Sequence, residues 1–224
     1  SLGNAIEPQT IIRDKGAEVL RLWVASVNYQ EDVRLGDEIL ARLVETYRKI
    51  RNTWRFMLGV LADFSPDADS VSPEMLADLD RYILARFAEV KNQVRKGYEE
   101  YEFHLATHAL TQFFTVDLSA LYLNVQKDNL YCNTSILPAR RAAQTVIFRL
   151  LKESLLLMAP ILSFTTEEAW EMLPTFAGKE SFIHLHFFPA SEPAWELPVD
   201  LDAWKTRLEL RDRVLKSIET ARAA

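Results

Sequence analysis

The strongest chemical signal in the sequence is a run of cations between positions 42 and 55. Against the one carboxylate of Glu45, the basic residues in this stretch are Arg42, Arg48, Lys49, Arg51 and Arg55. Tyr47 and Trp54 interleave with them. Basic groups bind phosphates and aromatic rings can stack on unpaired bases, so the pattern is compatible with an RNA-binding helix. The alternative is a solvated helix face whose aromatic residues belong to the core.

Two histidine pairs have spacings that could serve a metal ion. His104 and His108 lie four residues apart on a predicted helix, but the glutamate of a zinc-protease helix is missing and no third ligand is indicated. His184 and His186 would lie on one side of a short strand, where we expect them to face solvent. We therefore predict no metal site. The sequence also lacks a nucleophile elbow, a P-loop and a dinucleotide-binding glycine pattern, so it holds no complete catalytic apparatus.

Asp117 lies within the apolar segment FFTVDLSALYL. Because a bare carboxylate is costly to bury, we expect it to form an ion pair or a capping bond with a neighbouring helix. The candidate partners are Arg51 and Arg55.

The composition limits how the chain could bind nucleic acid. Its 224 residues carry a net charge of -6, the wrong sign for indiscriminate coating of RNA or DNA, so RNA binding would need a local basic patch. A content of 49% hydrophobic residues excludes disorder. The lone cysteine, Cys132, excludes an internal disulfide and fits a reducing compartment such as the cytoplasm. We predict no membrane segment, because the most apolar run is too short to span a bilayer.

Apolar residues spaced three and four apart predict long helices that would carry these groups. After a brief helix that begins at Pro8, helices are predicted at 17–27, 37–61, 73–98, 103–131, 138–158, 165–173 and 201–222. Ser72 before Pro73 predicts an N-cap, and Thr165 with Glu168 predicts a capping box. Residues 182–188 predict a short strand or extended segment. The expected fold is all-α: a helical bundle with small appendages at both ends.

Several segments of the chain resemble the isoleucyl-tRNA synthetases, which are class I aminoacyl-tRNA synthetases. The opening SLGN is similar to the end of the KMSKS signature, with Ser1 as its final serine. The similarity continues through VLRLWVASVNYQEDVRLGDEIL, YRKIRNTWRFMLG, YEFHLATHAL, VDLSALYLNVQKDNLY and MAPILSFTTEEAW. It covers nearly the whole chain, and residues 28–34 favour the isoleucyl branch over the valyl and leucyl ones.

The resemblance implies a division of the chain and a role for each part. Residues 1–37 would form a connecting region that contacts the tRNA stem, and residues 38–180 an anticodon-binding helical bundle. Residues 181–224 would lead toward the C-terminal region. Catalytic and editing domains would lie upstream of Ser1, and the full-length enzyme would use ATP and Mg2+ to attach isoleucine to its tRNA. This chain alone would hold no cofactor and would be catalytically inactive, with tRNA rather than DNA or a membrane as its partner.

The tRNA-binding candidates that follow are Arg48, Lys49, Arg51 and Arg55, with Arg34 and Lys127 ranked below them. Asn129 departs from the family pattern, because the K-D-R-L-Y motif normally carries arginine there, which leaves Lys127 as the better phosphate contact. Trp54 stands where leucine is common. Two alternatives remain: the same domain of a valyl or leucyl enzyme, and a non-catalytic helical module that docks proteins through its acidic faces.

Overall fold

The structure is a computed structural model that describes residues 7–33 and 35–223. In that part of the chain the α-helices are α1 (Pro8–Lys15), α2 (Ala17–Ser26), α3 (Asp37–Val60), α4 (Pro66–Asp69), α5 (Asp78–Glu99), α6 (Phe103–Gln112), α7 (Asn124–Cys132), α8 (Pro138–Met158), α9 (Ser163–Met172) and α10 (Leu201–Ala223). No strand occurs among these residues, and the all-α prediction is confirmed. Within the same ranges, no helix is both long enough and apolar enough to cross a lipid bilayer.

Helix α8 forms the centre of the bundle. Between Ala142 and Met158 only Arg149 and Lys152 are less than fully buried, as expected for a helix that is apolar nearly all round. Helices α3, α5, α7 and α9 pack around it. The core is therefore built from helix-on-helix packing.

Helix α3 buries one face and leaves the other exposed. Ile50, Trp54 and Met57 are buried at intervals of three and four residues, the period of an amphipathic helix. This face contacts α8, α9 and the segment that follows α6. The opposite face of α3 is thereby directed outward.

Residues 103–132 form one continuous helical rod, as predicted, but its middle is a π-helix. Helix α6 continues into the π-helical segment Phe113–Leu123, which continues into α7. Phe114 and Leu118 are buried from this segment, and Trp54 of α3 meets Phe114 edge to face at 5.6 Å. The wider π turn changes which residues face the core, and no feature of the apolar sequence predicted it.

Helix α2 holds the start of α9 in place. The Glu18 carboxylate accepts hydrogen bonds from the backbone N–H groups of Phe164 and Thr165, and Arg21 donates to the carbonyl of Ile161 at 2.8 Å. A carboxylate at a helix N-terminus is favourable because it satisfies free N–H groups and opposes the helix dipole. The predicted capping box of Thr165 and Glu168 is wrong, because α9 begins at Ser163 and Glu18 provides the cap.

The predicted helix 73–98 also starts later than expected. Ser72 and Pro73 begin only a 3-10 turn, Pro73–Met75, and α5 starts at Asp78. The Asp80 side chain accepts a hydrogen bond from the backbone N–H of Ala77 at 3.2 Å, so the cap comes from within the first turn.

Residues 182–188 do not form a strand. They contain a 3-10 turn, Ile183–Leu185, with extended backbone at Phe182 and His186 on either side. Ile183 is buried, and its N–H donates to Glu167 of α9 at 3.1 Å. The segment is therefore a loop anchored by Ile183. A lone strand with no partner strand would leave its backbone N–H and C=O groups unpaired.

Candidate nucleic-acid interface

The cations predicted from the sequence lie on the outward face of α3. Arg48, Asn52 and Arg55 are exposed at positions i, i+4 and i+7, so they form one line along the helix. Lys49 and Arg51 are exposed on either side of that line. We call this surface the α3 basic face: Arg48, Lys49, Arg51, Asn52 and Arg55.

The aromatic residues of the same run point inward. Trp54 is 1% exposed, and its indole N–H donates to Ser154 of α8 at 3.3 Å. Tyr47 is half-buried, with its hydroxyl 3.0 Å from that of Thr165 in α9. Trp54 belongs to the core and is not available for a base to stack on, and Tyr47 packs against the core with its ring partly exposed. The cations of the run, in contrast, stay at the surface.

Two of the cations have exposed carboxylate partners. Arg48 pairs with Glu45 at 2.8 Å, and Arg51 pairs with Glu168 of α9 at 3.0 Å. Side chains in both pairs are between 48% and 65% exposed, and such surface pairs contribute at most about 1 kcal/mol. A phosphate could therefore replace either carboxylate at little cost. No hydrogen bond or ion pair joins the side-chain cations of Lys49 and Arg55 to other residues in the described ranges.

A groove of about 590 Å³ runs beside this face, between α3 and α9. Arg51 and Arg55 line it together with the apolar side chains of Leu58 and Met172. Glu168 borders it on the α9 side, so the carboxylates of α9 limit the basic surface there. The sequence did not predict this groove, because it depends on how two distant helices pack.

Lys127 lies on α7, the helix whose last turn contacts α3. Its side chain is exposed and donates to Asn124 at 3.1 Å. One turn later, the ring of Tyr131 contacts Phe56 of α3, with ring centroids 5.9 Å apart. Phe56 follows Lys49 by two turns on the same side of α3, so this contact brings the last turn of α7 to that side of the helix. Arg34 and Ser1 lie outside the described residues.

The side chain of Asn129 is turned toward its own bundle. Its amide nitrogen donates to the carbonyl of Ala139 at 3.0 Å and to Gln126 at 2.8 Å. The bond to Ala139 ties α7 to the start of α8. Asn129 therefore has a structural contact within the chain.

The basic residues of α8 are used inside the protein. Arg140 forms a two-pronged pair with Asp63, at 2.6 and 3.0 Å. Arg149 contacts Glu153 at 3.3 Å and lies 4.1 Å from the ring centre of Trp195. These side chains are only 11% and 12% exposed, so this cluster stabilises the fold and is not presented to a ligand.

The expected ion pair of Asp117 with Arg51 or Arg55 is wrong. Asp117 is 8% exposed and meets Arg86 of α5 at 3.5 Å, whereas Arg51 and Arg55 face outward from α3. Burial raises the pKa of Asp117, and the nearby guanidinium of Arg86 opposes that shift. The partner therefore comes from the helix packed against the π segment.

The four histidines have different surroundings, which their spacing in the sequence did not predict. His108 is exposed, whereas the Nδ1 atom of His104 is buried without a hydrogen-bond partner. His184 is exposed 3.5 Å from Glu167, and His186 packs 4.8 Å from Trp170. Across residues 7–33 and 35–223, no group of three or more His, Cys, Asp and Glu side chains is placed to hold a metal ion.

Comparison with known proteins gives a consistent family match. Residues 80–224 match the family model described as the anticodon-binding domain of tRNA ligase. The chain is 43% identical over 222 residues to the isoleucine–tRNA ligase of Geobacter sulfurreducens, and 46% identical over 231 residues to that of Brevibacillus brevis. Each alignment covers 99% of this chain but 24% of the relative, so the chain spans about a quarter of the length of these relatives.

A solved structure has the same fold. The LeuRS of Agrobacterium radiobacter K84, crystallised as a ternary complex with tRNA and LeuAMS, superposes with a TM-score of 0.64 at 17% identity. The match covers 88% of this chain and 22% of that one. At this identity the likeness concerns the fold alone. The family model, which matches more than half of the residues, shows that the chain belongs to the family of anticodon-binding domains of tRNA ligases.

Proposed function

We propose that this chain is the tRNA-binding helical domain of an isoleucine–tRNA ligase and that the α3 basic face contacts the phosphates of the tRNA. The observation that carries the proposal is the clustering of exposed cations on one helix face in a chain whose net charge is -6. Phosphate contacts fix the position of a nucleic acid, and contacts to unpaired bases specify its sequence. The domain is thus a positioning device.

The candidate residues bind the tRNA in different ways. Lys49 and Arg55 meet phosphates directly, because no other side chain of the described residues competes for their charges. Arg48 and Arg51 exchange their exposed carboxylates for phosphate. Lys127 extends the contact surface from α7, and Arg34 adds to it from the segment before α3.

The proposal also assigns parts to the rest of the enzyme. Residues 1–37 contact the tRNA stem, residues 38–180 hold the anticodon stem and loop, and residues 181–224 lead to the C-terminal region. The full-length enzyme attaches isoleucine to tRNA with ATP and Mg2+ in the cytoplasm, through catalytic and editing domains upstream of Ser1. The chain on its own binds tRNA and does not catalyse aminoacylation.

The identity of the tRNA is tested by titration. We expect the 224-residue chain to bind isoleucine tRNA more tightly than valine tRNA or leucine tRNA, measured under the same salt conditions. The relatives that support this expectation are isoleucine–tRNA ligases, with identities of 43% and 46%. Preference for valine or leucine tRNA would assign the domain to one of those enzymes. Binding to no tRNA would contradict the proposal and favour a protein-docking module.

A further inference from the structure

We propose that Tyr131 stacks on an unpaired base of the RNA that lies along the α3 basic face. This inference rests on the proposed function and names the residue that contacts a base. Tyr131 is in the last turn of α7 and is 67% exposed. Within the basic run, Trp54 is held in the core and Tyr47 is half-buried with its hydroxyl next to that of Thr165, so the more exposed ring of Tyr131 is better placed for this role.

The orientation of Tyr131 is suited to stacking. Its ring meets Phe56 of α3 at 5.9 Å with an angle of 81° between the ring planes. A perpendicular contact covers at most one face of the tyrosine ring, so the other face remains free. Phe56 also limits the motion of the ring, which reduces the entropy lost when a base binds.

The charges around Tyr131 favour a nucleotide over other planar ligands. Lys127 precedes it by one helical turn and shares its face of α7, and Lys49 precedes Phe56 by two turns on α3. Lys127 and Lys49 are therefore the cations available to the phosphates that flank a base on Tyr131. Asp128, which is also exposed, lies three residues before Tyr131 and adds one negative charge beside the same face of α7. Rings near cations of this kind bind single-stranded nucleic acid.

Two other exposed aromatic residues, Phe164 and Tyr101, lack these surroundings. Phe164 is 70% exposed but lies on α9, whose outward side carries Glu168 and Glu171. Tyr101 is 66% exposed and meets Phe103 edge to face at 6.1 Å, much as Tyr131 meets Phe56. Acidic residues surround Tyr101 in the sequence YEEYEFH, and it lies at the opposite end of the helical rod 103–132, roughly 40 Å from Tyr131. Tyr101 is therefore a matched control.

The test is the affinity of the 224-residue chain for an RNA hairpin with the anticodon stem and loop of isoleucine tRNA, measured over a range of salt concentrations. Tyr131→Ala should weaken binding roughly five- to a hundred-fold, the usual effect of removing one stacked base. The slope of log affinity against log salt should stay unchanged, because stacking releases no counterions. Tyr131→Phe should bind as the wild type does, and Tyr101→Ala should have no effect.

One further protein variant and a series of abasic RNA hairpins separate stacking from folding. Tyr131→Leu keeps an apolar contact with Phe56 but has no aromatic ring, and it should bind as weakly as Tyr131→Ala. An abasic nucleotide is then placed at each loop position in turn. At the stacked position it should weaken wild-type binding and abolish the difference between wild type and Tyr131→Ala.

The outcomes distinguish this inference from the proposed function. Hairpin binding that is the same in the wild type and in Tyr131→Ala would overturn the role of Tyr131 and leave the proposed function intact. A hairpin that the wild type does not bind would overturn both. A weaker Tyr131→Ala whose deficit persists at every abasic position would also overturn stacking.

Discussion

Asp80 carries a carboxylate that is almost completely buried at the start of α5. It is 2% exposed, and Tyr122 and Gln126 donate hydrogen bonds to its Oδ1 atom at 2.7 and 3.2 Å. Burial raises its pKa above the ordinary value of 3.8, and the hydrogen bonds from Tyr122, Ala77 and Gln126 only partly oppose this. The cap of α5 is thus built from a group that burial pushes toward its protonated form.

The raised pKa predicts the sign of a pH effect on stability. Between pH 3.8 and the higher native pKa, the folded state holds a proton on Asp80 that the unfolded state has released. The contribution of Asp80 to the free energy of unfolding is therefore fully present below pH 3.8 and decreases as pH rises through the native pKa. In urea unfolding across this range, the free energy of unfolding of the wild type should rise relative to that of Asp80→Asn as pH falls. A difference that does not change with pH would contradict this.

Asp63 provides a control of opposite sign. The hydrogen bond from Arg140 holds its pKa below 3.8, with further help from Gln144. Its stabilising contribution is present above pH 3.8 and disappears as pH falls through the lower native pKa. In the same measurements, the difference in the free energy of unfolding between wild type and Asp63→Asn should disappear below pH 3.8. Because the Asp63 side chain is 42% exposed, we expect a small effect.

Individual side-chain partners were the least predictable level of the structure. The sequence predicted that Asp117 is buried and forms an ion pair or a capping bond with a neighbouring helix. The structure shows the buried carboxylate and the ion pair, but the partner is Arg86 and not Arg51 or Arg55. Trp54 is accommodated in the core because Ser154 accepts its indole N–H. Both details depend on which helices become neighbours, and apolar spacing along one helix does not determine this.

At the scale of helices, two glycines show where packing is open and where it is tight. Gly59 is exposed in the last turn of α3, and a Cβ atom added there would meet nothing within 4 Å. Gly97 is buried in α5, where a Cβ atom would lie 3.1 Å from the backbone of Ala106 and Glu102. Helices α5 and α6 approach closely at that point.

These environments predict opposite effects of the same substitution. Gly59→Ala should raise the free energy of unfolding by up to about 1 kcal/mol, because alanine loses less conformational freedom in a helix. Gly97→Ala should lower it by about 1–3 kcal/mol, because the backbone of α6 must move to make room. Denaturant unfolding of the two variants checks both signs. A Gly97→Ala protein as stable as the wild type would contradict the close approach.

The long helices were predictable because each buries one face, or nearly its whole surface, at helical spacing. Helices α3, α5 and α8 follow the expected ranges within a few residues at most ends. The starts of α5 and α9 were not predictable in the same way, since their caps involve Asp80 and, across the fold, Glu18. The π-helical segment and the turn at Ile183–Leu185 likewise depend on tertiary packing.

Across the whole molecule, some basic side chains form contacts within the fold and others remain exposed to solvent. The cations of α8 pair with buried or bordering carboxylates, whereas those of α3 remain at the surface. A net charge of -6 is therefore compatible with RNA binding on one face. The sequence located the basic run correctly, but only the packing separates its exposed cations from its buried aromatic rings. The role of these cations in binding remains a prediction.

Contact between the α3 basic face and tRNA phosphates is tested most directly by comparing charge reversal at two Arg-Lys pairs. Arg48→Glu/Lys49→Glu reverses charge on this face, and Arg95→Glu/Lys96→Glu makes the matched change at exposed positions of α5. Affinity for isoleucine tRNA is measured over a range of salt concentrations.

We predict that the α3 variant binds more weakly and that its salt slope falls by about one unit for each phosphate that the protein no longer neutralises. The α5 variant should retain the wild-type slope. A salt slope that is unchanged in Arg48→Glu/Lys49→Glu would contradict the account and remove α3 from the interface.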